Sequence, residues 1–176
     1  NGSATTVGEA ILDLMPYEVG YDLNHPVQKY SPEDNICEYA TMMRYGSDTL
    51  SNHITTKSTN IAKERFKHIK PGNNFHSLSK AMKTTYAKPE RTQNTIYLRL
   101  DPTAPSGTVV NVRKSMWIHP VLDRAISVRE AARLQSFPDY FTFVGSKDSQ
   151  YQQVGNAVPP LMAKGIANNV LKNLYV

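Results

Sequence analysis

Residues 129–160 read REAARLQSFPDYFTFVGSKDSQYQQVGNAVPP, and the reading of the chain starts there. Ser127 stands three residues ahead of Glu130, which is capping-box spacing. The serine oxygen can accept from the amide of Glu130 while the glutamate reaches back to the amide of Ser127. A short helix over 128–134 is expected, closed by Phe137-Pro138-Asp139. Farther on, Gly155-Asn156 precede Pro159-Pro160, which fit only the first turn of a helix. Asn156 therefore reads as the N-cap of a last helix. Met162, Ile166, Val170 and Leu174 recur every fourth residue and form one apolar stripe, with Leu171 beside it. The stretch 138–153 separates the two helices, far more than the three or four residues of a helix-turn-helix.

Around this region the composition is ordinary for a folded protein. The chain has 176 residues, 40% apolar, 20% charged and 9% aromatic, enough for one domain and too cohesive for disorder as the main state. The apolar runs are too short for a membrane span. Asn1-Gly2-Ser3-Ala4 lacks the basic start of a signal peptide. The single cysteine, Cys37, excludes an intramolecular disulfide framework and fits a reducing compartment. The five histidines, His25, His53, His68, His76 and His119, show no metal-ligand spacing, so no metal site is expected.

The net charge of +5 is unevenly spread. Residues 1–52 carry two bases against eight acids, a net of −6, whereas residues 53–99 carry ten bases against two acids, a net of +8. A middle third this basic suits a polyanion, with DNA or RNA the default partner; a solvated lysine-rich face is the plain alternative.

Working outward, residues 5–14 have helical spacing and stop at Pro16. Residues 20–56 read as loops with short pieces of structure. Residues 61–69 form a basic-faced helix, capped from Ser58 to Asn60 and ended by Pro71-Gly72. Residues 72–94 make a polar excursion. Residues 95–100 and 108–112 alternate like strands, joined by the turn-rich 101–107.

The strings RE-x-x-RLQ-x-FPD and Q-x-GNAVPP, at this separation, resemble motifs nine and ten of the cytosine-5 DNA methyltransferases. Residues 5–14 are similar to the stretch after that family's motif eight. The 61–72 segment, Arg99-Leu100-Asp101 and Pro105-Ser106-Gly107-Thr108-Val109 resemble parts of its target recognition domain. The family's glycine-rich cofactor motif, its Pro-Cys nucleophile, its Glu-Asn-Val acid motif and its Gln-x-Arg motif are not found in these 176 residues. Cys37 lies in Asn35-Ile36-Cys37-Glu38 rather than after a proline, so it reads as a structural thiol.

The resemblance implies a C-terminal half, either a truncated piece or the smaller subunit of a split enzyme. The fold expected is α/β overall: an irregular α+β recognition lobe with a few twisted strands, then two C-terminal helices, without the family's large parallel-sheet cofactor domain. Residues 1–20 would end the catalytic domain and 21–125 would form the recognition domain. Residues 126–148 would hold motif nine, and 149–176 motif ten and the last helix. The function implied is target recognition and closure of the cofactor pocket in a bacterial restriction-modification methyltransferase. Such an enzyme moves a methyl group from S-adenosylmethionine to cytosine carbon 5 after the base leaves the stack. No catalytic residue is expected in this chain, which would be inactive without the N-terminal half.

The resemblance also assigns roles. Asn156 and Ala157 would lie at the cofactor, their amides suiting an anion at a helix start. Phe141 would sit at the cofactor's edge or pack in the core. Thr108 would contact a phosphate or simply favour a strand. Lys57, Lys63, Arg65, Lys67, Lys88, Arg91 and Arg99 are candidates for DNA contacts, arginine for guanine and lysine for phosphate. Ser127, Arg129, Glu130, Arg133 and Gly155 belong to the structural motifs; the charged ones brace two domains or touch phosphate. Partners expected are double-stranded DNA, the N-terminal half and, through the apolar stripe, a second copy, in the bacterial cytoplasm. The alternatives are a stand-alone sequence-specific DNA-binding module and a degenerate relic.

Overall fold

The computed structural model describes residues 4–33, 35–110 and 112–174; the N-terminal tripeptide read above and Asn111 of the 108–112 segment lie outside them. The chain is α+β. Its helices are α1 (Val7–Ile11), α2 (Glu38–Arg44), α3 (Asn60–Lys67), α4 (Val112–Ser115), α5 (Val128–Leu134), α6 (Lys147–Asn156) and α7 (Pro160–Leu174). Strands β1 (Gln28–Lys29) and β2 (Thr49–Leu50) pair antiparallel, Gln28 opposite Leu50.

Two cores hold it together. The first gathers Val7 and Ile11 of α1, Val128, Ala131 and Ala132 of α5, and Tyr151 and Val154 of α6 around Trp117, Phe137 and Phe143. The second lies under the basic segment and joins Ala62, Phe66 and Ile69 to Phe75, Leu78, Tyr97 and Ile118. α1 starts with a capping box between Thr6 and Glu9. It approaches the 101–104 turn so closely that a side chain at Gly8 would meet the Pro102 oxygen at 2.7 Å, so only glycine fits there. Thr59 caps α3, within the cap range read from sequence.

Several expectations need correction. Residues 95–100 are not a strand: Tyr97 has φ of 53°, which turns the chain, and only Arg99 makes a bridge, to Ile118. The alternating side chains serve the second core instead. Thr108 to Val110 are not in a strand, and Val112 opens α4. The overall α/β label gives way to α+β, since the described residues pair in one two-stranded sheet. The stretch 138–153 is not a plain connection. Most of α6 lies within it, capped by Ser146, and α2 is a second helix the sequence did not announce. No helix among the described residues is long and apolar enough to cross a membrane.

Candidate functional site

The capping box predicted at Ser127 is formed, in both directions. Its surroundings explain why motif nine tolerates so many charges. All four N-terminal amides of α5 are satisfied. Val128 donates to the Ile54 oxygen and Arg129 to the Asn52 oxygen. Glu130 donates to Ser127 Oγ, and the Ser127 amide to Glu130 Oε2. The helix start is thus plugged by the 52–54 segment.

Arg129, Glu130 and Arg133 are fully buried. Arg133 donates to both carboxylate oxygens of Asp139, at 2.7 and 2.6 Å, and reaches Asp13 at 3.3 Å. Asp13 in turn pairs with Arg44 at 2.8 Å. The Tyr30 hydroxyl donates to Asp139 at 2.6 Å and the Tyr39 hydroxyl to the Arg133 oxygen at 2.6 Å. Charges therefore alternate from Arg44 through Asp13 and Arg133 to Asp139, and each opposite neighbour offsets part of the cost of leaving water. Burial pushes the Tyr39 hydroxyl up to about 12, so it stays a donor at any working pH.

Glu130 anchors a second cluster. Arg124 holds it bidentately at 2.8 and 2.6 Å. His119 Nε2 stands 3.8 Å from it, and His53 Nδ1 is 3.0 Å from Ser127 Oγ. His119 Nδ1 accepts from the amides of Val121 and Leu122 at 3.1 and 3.0 Å, so the neutral ring carries its proton on Nε2, toward Glu130. Burial pushes Glu130 up, but Arg124 and the two imidazoles outweigh it and the carboxylate sits at about 2. Burial holds both histidines down to about 4, against Glu130's opposing pull.

Arg129 works on the loop that follows. It donates to the oxygens of Ser51, Pro138 and Phe141 at 3.0, 3.1 and 2.7 Å. Phe141 stacks with Phe137 and Phe143 at ring distances of 5.1 and 5.0 Å, yet remains 44% exposed, so it both packs and presents a face.

Asn156 and Ala157 are not at a helix start. Asn156 is the last residue of α6 and Ala157 its C-cap, with the Ala157 amide bonded to the Val154 oxygen. The local helix end is therefore the negative one, and the argument for anion-binding amides fails. Gly155 lies inside α6. Three residues, Ala157 to Pro159, join α6 to α7. That link is short enough for a helix-turn-helix of α6 and α7, a pair the wide spacing read from sequence did not include. The chemistry of α7 still opposes it, because only Lys164 and Lys172 on this helix are basic, while Met162, Ile166, Val170 and Leu174 are 52–69% exposed.

The basic residues divide. Lys57, Lys63, Lys67, Lys88 and Arg91 are exposed, as is Thr108; Lys67 pairs with Glu64 at 2.9 Å. Arg99 and Arg65 are buried and committed inward. Arg99 donates to the Phe66 and His119 oxygens and pairs with Asp123. Arg65 donates to the Met82 oxygen at 2.7 Å and to Thr85 Oγ1 at 2.6 Å. Either could turn to a phosphate or a guanine only by leaving these acceptors unpaired, so both serve the fold in this arrangement. Cys37 caps α2, accepting from the Ala40 amide and donating to the Glu9 oxygen. Sequence reading missed Asp13, Asn52, Arg124 and Asp139, whose partners lie far away in the chain.

The model of the C-5 cytosine-specific DNA methylase family matches residues 11–172. The type II methyltransferase M.DdeI of Desulfomicrobium norvegicum is 35% identical over 181 residues, 94% of this chain and 42% of that one. M.AquIB of Picosynechococcus sp. is 35% identical over 136 residues, 71% of this chain and 90% of that one. A crystal structure described as a DNA modification methyltransferase encoded within a prophage (E. coli) superposes with a TM-score of 0.71 at 23% identity, over 99% of this chain and 48% of that one. That likeness speaks to the fold. The chain spans about half the length or less of the first of these relatives, 42% of M.DdeI and 51% of M.AgeI of Thalassovita gelatinovora. The match across most of the sequence establishes that this chain belongs to the C-5 cytosine-specific DNA methylase family.

Proposed function

We infer that this chain is the target-recognition and cofactor-closing part of a cytosine-5 DNA methyltransferase of a bacterial restriction-modification system, working in the cytoplasm with an N-terminal catalytic half. The observation that carries this reading is the contrast between motif nine and α7. Motif nine is a finished brace, every charge buried and paired. α7 has no buried residue along its fifteen, although its apolar stripe needs a partner to be stable in water. An N-terminal half covering that stripe accounts for both. M.AquIB, almost wholly spanned by the alignment with this chain, supports an arrangement in which the two halves are separate polypeptides.

In this reading residues 21–125 face DNA, with Lys57, Lys63, Lys67, Lys88 and Arg91 on phosphates and Thr108 beside the displaced nucleotide. Residues 126–148 hold that lobe rigid, and 149–176 close the cofactor site. Phe141 offers an exposed ring face and Asn156 an exposed amide at the negative end of α6. That end suits the sulfonium or ammonium of S-adenosylmethionine better than its carboxylate. The cofactor supplies an electrophilic methyl group; these residues orient it.

Salt titration of DNA binding tests the DNA half of the reading. The purified chain should bind duplex DNA with an affinity that falls steeply with salt. Replacing Lys57, Lys63, Lys88 and Arg91 by alanine should lower the slope by about 0.9 per lost contact. Binding that ignores salt, or a variant with an unchanged slope, would contradict it.

A further inference from the structure

We propose that Asn52 is a positioning residue for methyl transfer, holding the Phe141 loop against the cofactor from the DNA-binding side of the molecule. The proposal rests on the reading that Phe141 lines the cofactor site.

Asn52 has a φ of 57°, in the left-handed region that asparagine enters more readily than other non-glycine residues. This turn aims its side chain at the 138–145 loop. Oδ1 accepts from the Phe143 amide at 3.0 Å and Nδ2 donates to the Phe143 oxygen at 2.9 Å. The side-chain amide so pairs with both backbone groups of Phe143, as the facing residue of an antiparallel strand would. Nδ2 also donates to Gln150 Oε1 at 3.0 Å, and Gln150 Nε2 donates to the Gly145 oxygen at 3.0 Å. The Asn52 backbone oxygen meanwhile receives the Arg129 amide, whose side chain holds Pro138 and Phe141.

The 138–145 loop is thus pinned at Pro138, Phe141, Phe143 and Gly145 by one residue from each of three segments: Asn52, Arg129 of α5 and Gln150 of α6. Arg129 and Gln150 sit on helices beside the loop. Asn52 comes from the chain leading into the basic lobe, five residues before Lys57, and borders a cleft of about 300 Å³ shared with His53, Phe143 and Val144. Its side chain links the segment leading toward Lys57 directly to the aromatic loop, beside the bridge that Arg129 makes from Ser51 to Phe141.

Asn52→Gly is the clean probe. Glycine keeps the left-handed backbone and the oxygen that receives Arg129, and removes only the clamp. In the complete methyltransferase the variant should raise the KM for S-adenosylmethionine about tenfold, as misplacement of a positioning group does, with Kd for DNA held and the thermal midpoint lowered only by the few degrees that the unpaired Phe143 backbone groups cost. In a Phe141→Ala background the same change should add nothing further, because both act through one ring. An unchanged KM in Asn52→Gly, or a KM rise matched by an equal loss of DNA affinity, would overturn the proposal. A Phe141→Ala enzyme with normal KM would sink the Phe141 reading itself, and this proposal with it. Amide hydrogen exchange in the unmodified chain gives a check that needs no variant. The Phe143 amide should exchange among the slowest loop amides, and fast exchange would overturn the clamp.

Discussion

At the residue scale, one carboxylate decides how motif nine behaves. Glu130 is buried with one guanidinium and two neutral imidazoles around it. The histidines' folded values of about 4 lie below their ordinary 6.5. In the unfolded chain they bind protons first as pH falls, so stability is complete above 6.5 and is lost as pH drops toward 4. Each imidazole costs on the order of 3 kcal/mol across that window. Glu130 acts in the same direction at lower pH, since its depressed value favours the fold above 4.5 and that gain disappears toward 2. Asparagine at position 119 can still accept from the Val121 and Leu122 amides but cannot titrate. His119→Asn should therefore roughly halve the slope of stability against pH between 6.5 and 4, measured by urea unfolding. An unchanged slope would show that His119 is not held neutral by burial.

At the scale of elements, α5 was legible because its signals are local. The box at Ser127 and Glu130, the apolar Val128, Ala131 and Ala132, and the FPD stop all lie within residues 127–139. α6 was not. Among Lys147 to Asn156 only Tyr151 and Val154 are apolar and buried, too little for a clear period. Gly-Asn serves helix ends as well as helix starts, so the pair pointed the wrong way. Residues 95–100 failed for another reason: β-branched and aromatic residues read as strand, while Tyr97 turns the chain into the second core. α7 was legible as a stripe, and its exposure gives a prediction. Ile166→Asp should leave the stability of the isolated chain within about 0.5 kcal/mol, because the site is already exposed, while abolishing assembly with the catalytic half in size-exclusion chromatography. A destabilised chain that still assembles would mean that α7 packs elsewhere. A wild-type chain that dimerises through this helix instead would assign the stripe to a second copy.

At the scale of the whole molecule, charge and brace belong together. The acidic N-terminal third supplies Asp13 to the buried network, and the basic middle third turns most of its lysines outward. The sequence showed the imbalance in charge but not which bases were available, since Arg65 and Arg99 are used inside the lobe by partners 17 to 33 residues away. The proposed function gives both features a use, the outward lysines toward DNA and the uncovered α7 toward the N-terminal half. The most direct test is transfer of a labelled methyl group from S-adenosylmethionine to duplex DNA, with this chain alone and then with an N-terminal half carrying the glycine-rich and Pro-Cys motifs. Transfer to cytosine carbon 5 only on mixing is the result expected. Transfer by the chain alone, or none on mixing although both parts are folded and the DNA is bound, would contradict it.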